Sequence, residues 1–193
     1  MQPPHKKPQI WTSFPRLESR RLVLREMIPK QDEPDLGNFW GNSEVCRYTD
    51  FYFPSEEQIH NVLLSLRMRF QLYEGIRWGI TIKSKNIIIG TIGFNTWETQ
   101  RSSTAEIGYD LHPDYWRQGI MTEAILRVLD YGFSQMQIHR IEAQTDPLNT
   151  ASRKLLENCG FLYEGTLRDN AFFKNAFHKI GRASCRERVC HRV

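Results

Sequence analysis

Hydrophobic and polar positions along the chain repeat with two different periods, and each period indicates one type of element. Between residues 56 and 73 apolar side chains recur every three to four positions, as on one face of a helix, and Ser55 precedes them as a candidate N-cap. Shorter apolar runs between polar breaks are typical of strands. They predict strands at residues 20–26, 77–82, 87–95, 104–111, 139–145 and 161–167.

Three further helices are predicted between these strands. One begins near Asp32, and another runs from about Asn149 to Asn158 and ends at Gly160. The remaining helix follows Gly119, and its apolar stripe consists of Met121, Ala124, Ile125, Val128 and Leu129. The resulting order, β-α-α-β-β-β-α-β-α-β, predicts one α/β (α+β) domain in which helices flank a mixed sheet.

Composition and charge then narrow the class of protein. The 193 residues are 40% hydrophobic and 25% charged, which suffices for one domain with a single core. The formal net charge is +4, of which residues 180–193 carry +3, so the body lacks the basic face that nucleic-acid binding needs. No apolar run approaches the roughly 18 residues of a membrane span, and the four cysteines fit neither a disulfide framework nor a metal site. We expect a cytoplasmic protein, monomer or homodimer, without metal, nucleic acid or membrane.

Residues 115–124, Tyr-Trp-Arg-Gln-Gly-Ile-Met-Thr-Glu-Ala, join a predicted strand to the helix after Gly119. A turn of this kind exposes backbone N–H groups beside the positive end of the helix dipole, and such a site binds phosphate. The sequence has neither the P-loop pattern nor the dinucleotide-binding glycine pattern. On spacing alone, an ordinary turn at the start of a helix explains it equally well.

The helix near residue 149 is the second informative segment. Asn149 stands at the N-cap position, and Ser152 lies in the first turn. Ala151, Leu155 and Cys159 form a stripe that would be buried. Helix capping alone accounts for both polar residues.

Taken together, the two segments resemble the GNAT N-acetyltransferase superfamily, and in particular its ribosomal-protein N-acetyltransferase (Rim-type) branch. The shared pattern is Trp116-x-x-Gly119-x-x-Thr122-Glu123-Ala124, then Asn149-x-x-Ser152, then Glu157-x-x-Gly160-Phe161. Residues 17–25, 42–48, 90–93 and 105–109 also resemble that branch, so the likeness extends from about residue 15 to 177. Trp116 and Met121 depart from the superfamily pattern, which has Gln or Arg at the first position and Gly or Ala at the second.

The resemblance implies the GNAT fold, a sheet of about six or seven strands with splayed central strands and about four flanking helices. It also implies acetyl-CoA as the cosubstrate. The diphosphate would lie on the backbone amides of residues 117–122, and the pantetheine arm between strands 104–111 and 139–145. The residues expected to bind the cosubstrate are Leu111, Trp116, Arg117, Gln118, Gly119, Ile120, Met121, Thr122, Asn149 and Ser152.

The resemblance further implies roles in catalysis. Ser152 is the expected acid for the leaving thiolate, with Tyr163 as a less favoured alternative. A backbone N–H near Tyr109 would polarise the acetyl carbonyl. Glu106 is the candidate base that takes the proton of the attacking amine, and Glu142 is the weaker alternative.

The acceptor is expected to be a primary amine that attacks directly in a ternary complex, because neither Cys46 nor Cys159 is placed as an activated nucleophile. It is either a protein N-terminal amine or a small amine such as a polyamine or an aminoglycoside. A catalytically silent acyl-CoA-binding module is the alternative outside the enzymes. The expected acceptor pocket follows residues 42–54 and the final strand hairpin, and the aromatic run Tyr48, Phe51, Tyr52 and Phe53 either lines it or packs in the core.

The two ends of the chain are expected to lie outside the domain, which we place at residues 15–179. Residues 1–14 form a Pro- and Lys-rich leader that is expected to be flexible. After Lys179 the chain resembles the in-frame translation of a sequencing adapter. We therefore expect residues 180–193 to form a non-native, irregular tail and the family's final strand to be missing. Val189 and Cys190 buried in a regular strand would contradict this expectation.

Overall fold

The computed structural model describes residues 11, 13–48, 55–98, 103–173 and 175–186. Numbered along the chain, the strands are β1 Leu17–Glu18, β2 Leu22–Arg25, β3 Ile76–Ile82, β4 Gly90–Glu98, β5 Thr104–Leu111, β6 Arg140–Thr145, β7 Leu162–Phe173 and β8 Ala176–Arg186. They form one sheet in the order β1-β2-β3-β4-β5-β6-β8-β7. The pair β5–β6 is parallel and the other neighbouring pairs are antiparallel, so the sheet is mixed.

The α-helices of the described residues are α1 Glu33–Trp40, α2 Glu56–Gln71, α3 Ile120–Ser134 and α4 Thr150–Asn158. Ser55 caps α2, since its hydroxyl accepts a hydrogen bond from Gln58 N at 3.2 Å. The predicted apolar stripe of α3 is buried in the main core. The predicted fold class, a mixed sheet with four helices, is thus confirmed, with eight strands instead of six or seven.

Two predicted strands have different bounds in the structure. The run at residues 20–26 forms a strand only at Leu22–Arg25 (β2), because the chain turns at residues 19–21 after the short strand β1. The run at residues 87–95 begins its strand only at Gly90. Ile88 and Ile89 are buried although they precede the strand, and Ile88 N donates to Asp35 Oδ2 at 2.8 Å. Their apolar character therefore reflects burial ahead of the strand, and Ile89 N already donates to Ile80 O of β3 at 2.9 Å.

The prediction of a flexible leader is wrong at Trp11 and Phe14. The Trp11 ring is buried, stacks on Tyr73 at a centroid distance of 5.4 Å, and donates from Nε1 to Tyr131 Oη at 2.8 Å. Phe14 packs against Phe70. Large aromatic rings bury enough apolar area to hold the chain against the domain. Residues 1–10 and 12 lie outside the described residues.

The prediction of an irregular tail is wrong for residues 180–186. They belong to β8, which lies between β6 and β7 and pairs with both. Ile180 and Cys185 are buried there, and Arg182 gains a partner in Glu142 of β6, which offsets the cost of an arginine in the sheet. The family's final strand is therefore not missing. Val189 and Cys190 lie outside the described residues, and the adapter origin of the tail stays a prediction.

The central strands β5 and β6 separate partway along their length. Their pairing runs from Thr104 opposite Arg140 to Ile107 opposite Ala143 and stops there. Beyond that point β5 continues to pair with β4, and β6 with β8. Because α3 follows β5 and α4 follows β6, the N-termini of both helices lie at the end of the sheet where the gap opens.

Candidate active site

A cavity of about 460 Å³ opens at the gap between β5 and β6. Four of the residues predicted from the sequence line it, although they come from β5 and α4: Glu106, Tyr109, Asn149 and Ser152. Its other walls include Trp40, Tyr48, Val62, Leu66, Arg77, Asn95 and Gln144. The fold therefore brings the predicted chemical groups into one concave site with polar and apolar walls.

Two hydroxyl groups meet in this cavity. Tyr109 Oη and Ser152 Oγ are 2.7 Å apart and share a hydrogen bond. Burial raises the pKa of the Tyr109 phenol far above its ordinary value, so the phenol keeps its proton at any physiological pH. When the phenol donates to Ser152 Oγ, the serine hydroxyl hydrogen points elsewhere and is available to a ligand. The sequence analysis predicted only a backbone role near Tyr109 and missed its phenol.

Asn149 is the N-cap of α4. Its Oδ1 accepts a hydrogen bond from Ser152 N at 3.0 Å, which fixes the first turn of the helix. The capping role that the sequence left open is therefore real. It orients Ser152 toward Tyr109 and leaves the Asn149 amide nitrogen as the group that can donate to a ligand.

The Glu106 carboxylate is held by two side-chain amides. Asn95 Nδ2 donates to Oε1 at 3.3 Å, and Gln144 Nε2 donates to Oε2 at 2.9 Å. Asn95 is the extra residue of a bulge in β4, since Phe94 pairs with Ile107 while Thr96 pairs with Glu106. The sequence analysis missed both amides. Asn95 reaches Glu106 through a bulge and Gln144 from a neighbouring strand, and neither contact produces a local sequence pattern.

Arg77 orients the Asn95 side-chain amide that holds Glu106. Its Nη1 donates to Asn95 Oδ1 at 3.0 Å, which directs the Asn95 amide nitrogen toward Glu106. Its Nη2 forms an ion pair with Asp110 at 2.7 Å, and the two side chains are only 14% and 2% exposed. Arg77 pairs with the buried Asp110 and not with Glu106, whose carboxylate accepts hydrogen bonds from the two amides alone among the residues that the structure describes.

The two alternative residues lie elsewhere. Glu142 is not in the cavity wall, and both its oxygens bind arginines: Arg140 at 2.8 Å on Oε1, and Arg182 on Oε2. Burial alone would raise the pKa of Glu142, but these hydrogen bonds outweigh it and lower that pKa. The Tyr163 hydroxyl bonds to Thr166 Oγ1, and Tyr163 does not line the cavity either. Ser152 and Glu106 are therefore the better-placed acid and base.

The predicted phosphate-binding turn has a strained backbone. Gly119, the N-cap of α3, has φ = +70°, and Arg117 also has a positive φ of +61°. A non-glycine residue with positive φ, such as Arg117, is energetically unfavourable, and such residues occur often at functional sites. Trp116 Nε1 donates to Leu111 O, and Gln118 Nε2 to Asp114 O, both at 2.7 Å. These bonds fix the segment that leads into Gly119.

The turn presents backbone groups more than side chains. A Cβ placed on Gly119 would have one described atom within 4 Å, Arg21 Nη2 at 3.6 Å, which is an ordinary contact distance. The first N–H groups of α3 have no acceptor within the helix, and they start at this turn. Among the predicted binding residues, Trp116, Arg117 and Gln118 are exposed and Thr122 is half-buried. The side chains of Leu111, Ile120 and Met121 belong to the core, so these three residues can offer only backbone groups.

The predicted acceptor pocket is described only in part. Tyr48 lines the cavity, opposite the apolar wall that Val62 and Leu66 of α2 provide. Phe51, Tyr52 and Phe53 lie outside the described residues. Among the residues that the structure describes, no three His, Cys, Asp or Glu side chains form a group suited to a metal ion. No helix there is long and apolar enough to cross a membrane.

Comparisons with known proteins identify the family of this chain. Residues 21–162 match the acetyltransferase (GNAT) domain family. The chain is 40% identical over 156 residues to the uncharacterized N-acetyltransferase YoaA of Bacillus subtilis, covering 80% of this chain and 87% of YoaA. It is 29% identical over 93 residues to the ribosomal-protein-serine acetyltransferase of Escherichia coli, covering 48% and 51%. A GNAT-family acetyltransferase structure from Bacillus anthracis superimposes with a TM-score of 0.79 at 25% identity, covering 90% and 99%.

The chain belongs to the GNAT acetyltransferase family. It is an acetyl-CoA-dependent N-acetyltransferase, and its relatives include ribosomal-protein acetyltransferases. The predicted family and cosubstrate are thereby confirmed. The roles of individual residues stay predictions, which the geometry above makes specific.

Proposed function

We propose that the protein acetylates the N-terminal amine of a protein by direct attack within a ternary complex. The observation that carries this proposal is one cavity lined by both a carboxylate, Glu106, and a protonated hydroxyl pair, Tyr109 and Ser152. An amine acceptor needs a base for its proton, and the departing thiolate needs an acid. The similarity to the Escherichia coli ribosomal-protein-serine acetyltransferase supports a protein as the acceptor.

Acetyl-CoA fits the residues that surround the gap. The exposed Gly119 and the first N–H groups of α3 suit the diphosphate, and the separation of β5 from β6 suits the narrow pantetheine arm. The Asn149 amide nitrogen is placed to bind a carbonyl of that arm. When bound, acetyl-CoA supplies a thioester whose acetyl carbon takes the amine nitrogen and whose sulfur leaves.

Glu106 acts as the base in this proposal. Its oxygens take one proton from the acceptor ammonium, and the freed nitrogen lone pair forms the C–N bond as the C–S bond breaks. Ser152 Oγ gives its proton to the sulfur, and the second proton of the nitrogen replaces the one that Ser152 gave. An ammonium and a thioester thus become an amide, a thiol and one proton, which leaves Glu106 for solvent.

A covalent acetyl-enzyme is not part of this route. Cys46 and Cys159 are both buried, and burial raises the pKa of the Cys159 thiol to about 11, so it is not a thiolate at neutral pH. Initial rates at varied concentrations of both substrates test the route. Intersecting double-reciprocal lines are expected with a serine-initiated peptide, and no product is expected when the peptide's α-amine is blocked. Parallel lines together with an isolable acetylated enzyme would refute the ternary complex.

Replacing Ser152 by Ala separates catalysis from binding. We expect kcat to fall about tenfold to a hundredfold, because the leaving sulfur loses its acid, while the affinity for CoA stays near the wild-type value. Steady-state kinetics and calorimetry measure the two effects. Ser134→Ala, at the exposed end of α3, is the matched control and should change neither. An unchanged kcat would show that Ser152 is not the acid, and an equal loss of CoA affinity would assign Ser152 to binding.

Replacing Gly108 by Ala tests the placement of Glu106 indirectly. A Cβ on Gly108 would stand 2.6 Å from Asn95 Nδ2, so the Asn95 side chain must move away from Glu106. We expect the variant to fold and its kcat to fall on the order of tenfold, because Glu106 loses one of the two amide hydrogen bonds that position it. Gly37→Ala adds the same methyl group at an ordinary contact distance in α1 and serves as control. A wild-type kcat for Gly108→Ala would show that Asn95 does not position Glu106.

A further inference from the structure

Three hydrogen-bond donors converge on the carboxylate of Glu123 in the first turn of α3. Ser19 Oγ and Arg21 N each donate to Oε1 at 2.7 Å, and Arg21 Nε donates to Oε2 at 2.6 Å. Burial alone would raise the pKa of Glu123, but these bonds outweigh it and lower that pKa. Glu123 is therefore a fixed anion that ties the turn between β1 and β2 to the start of α3.

The guanidinium of Arg21 is held at two of its three nitrogens. Nε binds Glu123, and Nη1 donates to the carbonyl of Gln118 at 3.0 Å. The third nitrogen, Nη2, stands 3.6 Å from the position that a Cβ on Gly119 would occupy. The fixed, planar guanidinium of Arg21 therefore directs a charged donor toward the Gly119 turn. Because its rotamer is already fixed, Arg21 loses little conformational entropy when a ligand binds.

The charges at the start of α3 explain why Glu123 needs Arg21 as a partner if an anion is to bind there. A carboxylate in the first helical turn suits the helix dipole, but it would repel an anion bound at the same helix end. Arg21 cancels this charge and adds a donor on the side of the turn. The Arg21 side chain is 38% exposed, against 17% for Glu123, so the cation is the more exposed of the two groups.

We propose that Arg21 is a cosubstrate-binding residue whose guanidinium binds the diphosphate of CoA beside Gly119, with Glu123 as its positioning residue. This inference rests on the proposed binding of CoA at the Gly119 turn. It adds a side-chain cation from the other end of the sequence to a site otherwise made of backbone N–H groups. Charge-assisted, fork-shaped contacts of this kind are the strong ones for phosphate oxygens.

Calorimetry with two probes tests the proposal without relying on activity. CoA carries the diphosphate, and pantetheine, used at millimolar concentration, lacks it. For Arg21→Gln we expect the affinity for CoA to fall about tenfold and the affinity for pantetheine to stay unchanged. The weakening of CoA binding by added salt should also be less steep than in the wild type, since one charge contact is gone.

Arg127→Gln is the matched control. Arg127 also joins α3 to the β1 segment, through Nε to Glu18 O at 3.1 Å, but its partner Asp130 is on the solvent side and not at the turn. It should leave both affinities unchanged. If Arg21→Gln does not fold, Arg21→Lys keeps the charge without the fork and should show a smaller, CoA-specific loss.

Two results would overturn the inference. One is a folded Arg21 variant with wild-type affinity for CoA. The other is an equal loss for CoA and pantetheine, which would make Arg21 a structural clamp. Failure of the wild type to bind CoA would instead refute the proposed use of the Gly119 turn, so the two failures are distinguishable.

Discussion

Glu106→Gln is expected to lower kcat by about 10²- to 10⁴-fold at pH 7, the range that loss of a general base produces. The amide keeps the shape of the side chain but cannot take the proton of the acceptor ammonium. A protein α-amine has an ordinary pKa of about 7.7–8.0, so most of it is already neutral above about pH 9. The loss should therefore shrink as the pH rises from 7 to 9. Steady-state kcat across this range is the measurement.

Glu57→Gln controls for the loss of a carboxylate. Glu57 is exposed in the first turn of α2, away from the cavity, and its variant should follow the wild-type pH profile. A Glu106→Gln loss that is the same at pH 7 and pH 9 would make Glu106 a positioning residue. A solvent-connected chain of groups would then have to remove the proton.

Gly119→Val is expected to lower the affinity for CoA about a hundredfold. A β-branched side chain is strained at φ = +70°, and its methyl groups would stand in front of the α3 N-terminus and crowd Arg21 Nη2. The diphosphate would then lose several charge-assisted bonds from backbone N–H groups. Calorimetry with CoA gives the affinity, and thermal unfolding shows whether the variant is folded.

Gly119→Ala separates strain from bulk. Both variants have the same left-handed backbone at residue 119. The alanine adds only a Cβ, 3.6 Å from the nearest described atom, so we expect a smaller loss of CoA affinity than for valine. The two variants together measure how much space the turn must keep free. Unchanged CoA affinity in folded Gly119→Val would remove this turn from the binding site.

The parts of the site that sequence could predict are those with local patterns. The start of α3 after Gly119 and the cap of α4 at Asn149 depend on neighbouring residues, and the structure has both within one residue of the prediction. The alternation in β5 correctly separates Glu106 from Tyr109, which lie three residues apart and therefore on opposite faces. The gap beside β5 then exposes both faces to one cavity.

The parts that sequence could not predict depend on long-range contacts. Asn95 meets Glu106 because of a bulge, and Arg21 meets Glu123 across about a hundred positions of the chain. One signal was present: a glycine inside a strand often marks the close approach of another group, and Gly108 faces the Asn95 side chain.

The last strand shows a different limit. Residues 180–186 have poor alternation and several arginines, and these features predict an irregular segment. In the structure Gly181 and Ala183 pair with β6 on one side and with β7 on the other, and Arg182 finds a carboxylate partner in Glu142. Pairing on both sides thus compensates for weak strand propensity, which local sequence cannot show.

The acceptor is tested most directly by thiol release from acetyl-CoA with a panel of amines, followed by mass spectrometry of the acetylated product. The panel contains serine- and alanine-initiated peptides, the same peptides with a blocked α-amine, a polyamine and an aminoglycoside. We predict thiol release and α-amine acetylation with the free peptides, and loss of both in Glu106→Gln at pH 7. Turnover with the polyamine or the aminoglycoside alone, or CoA binding without turnover of any amine, would contradict the proposed function.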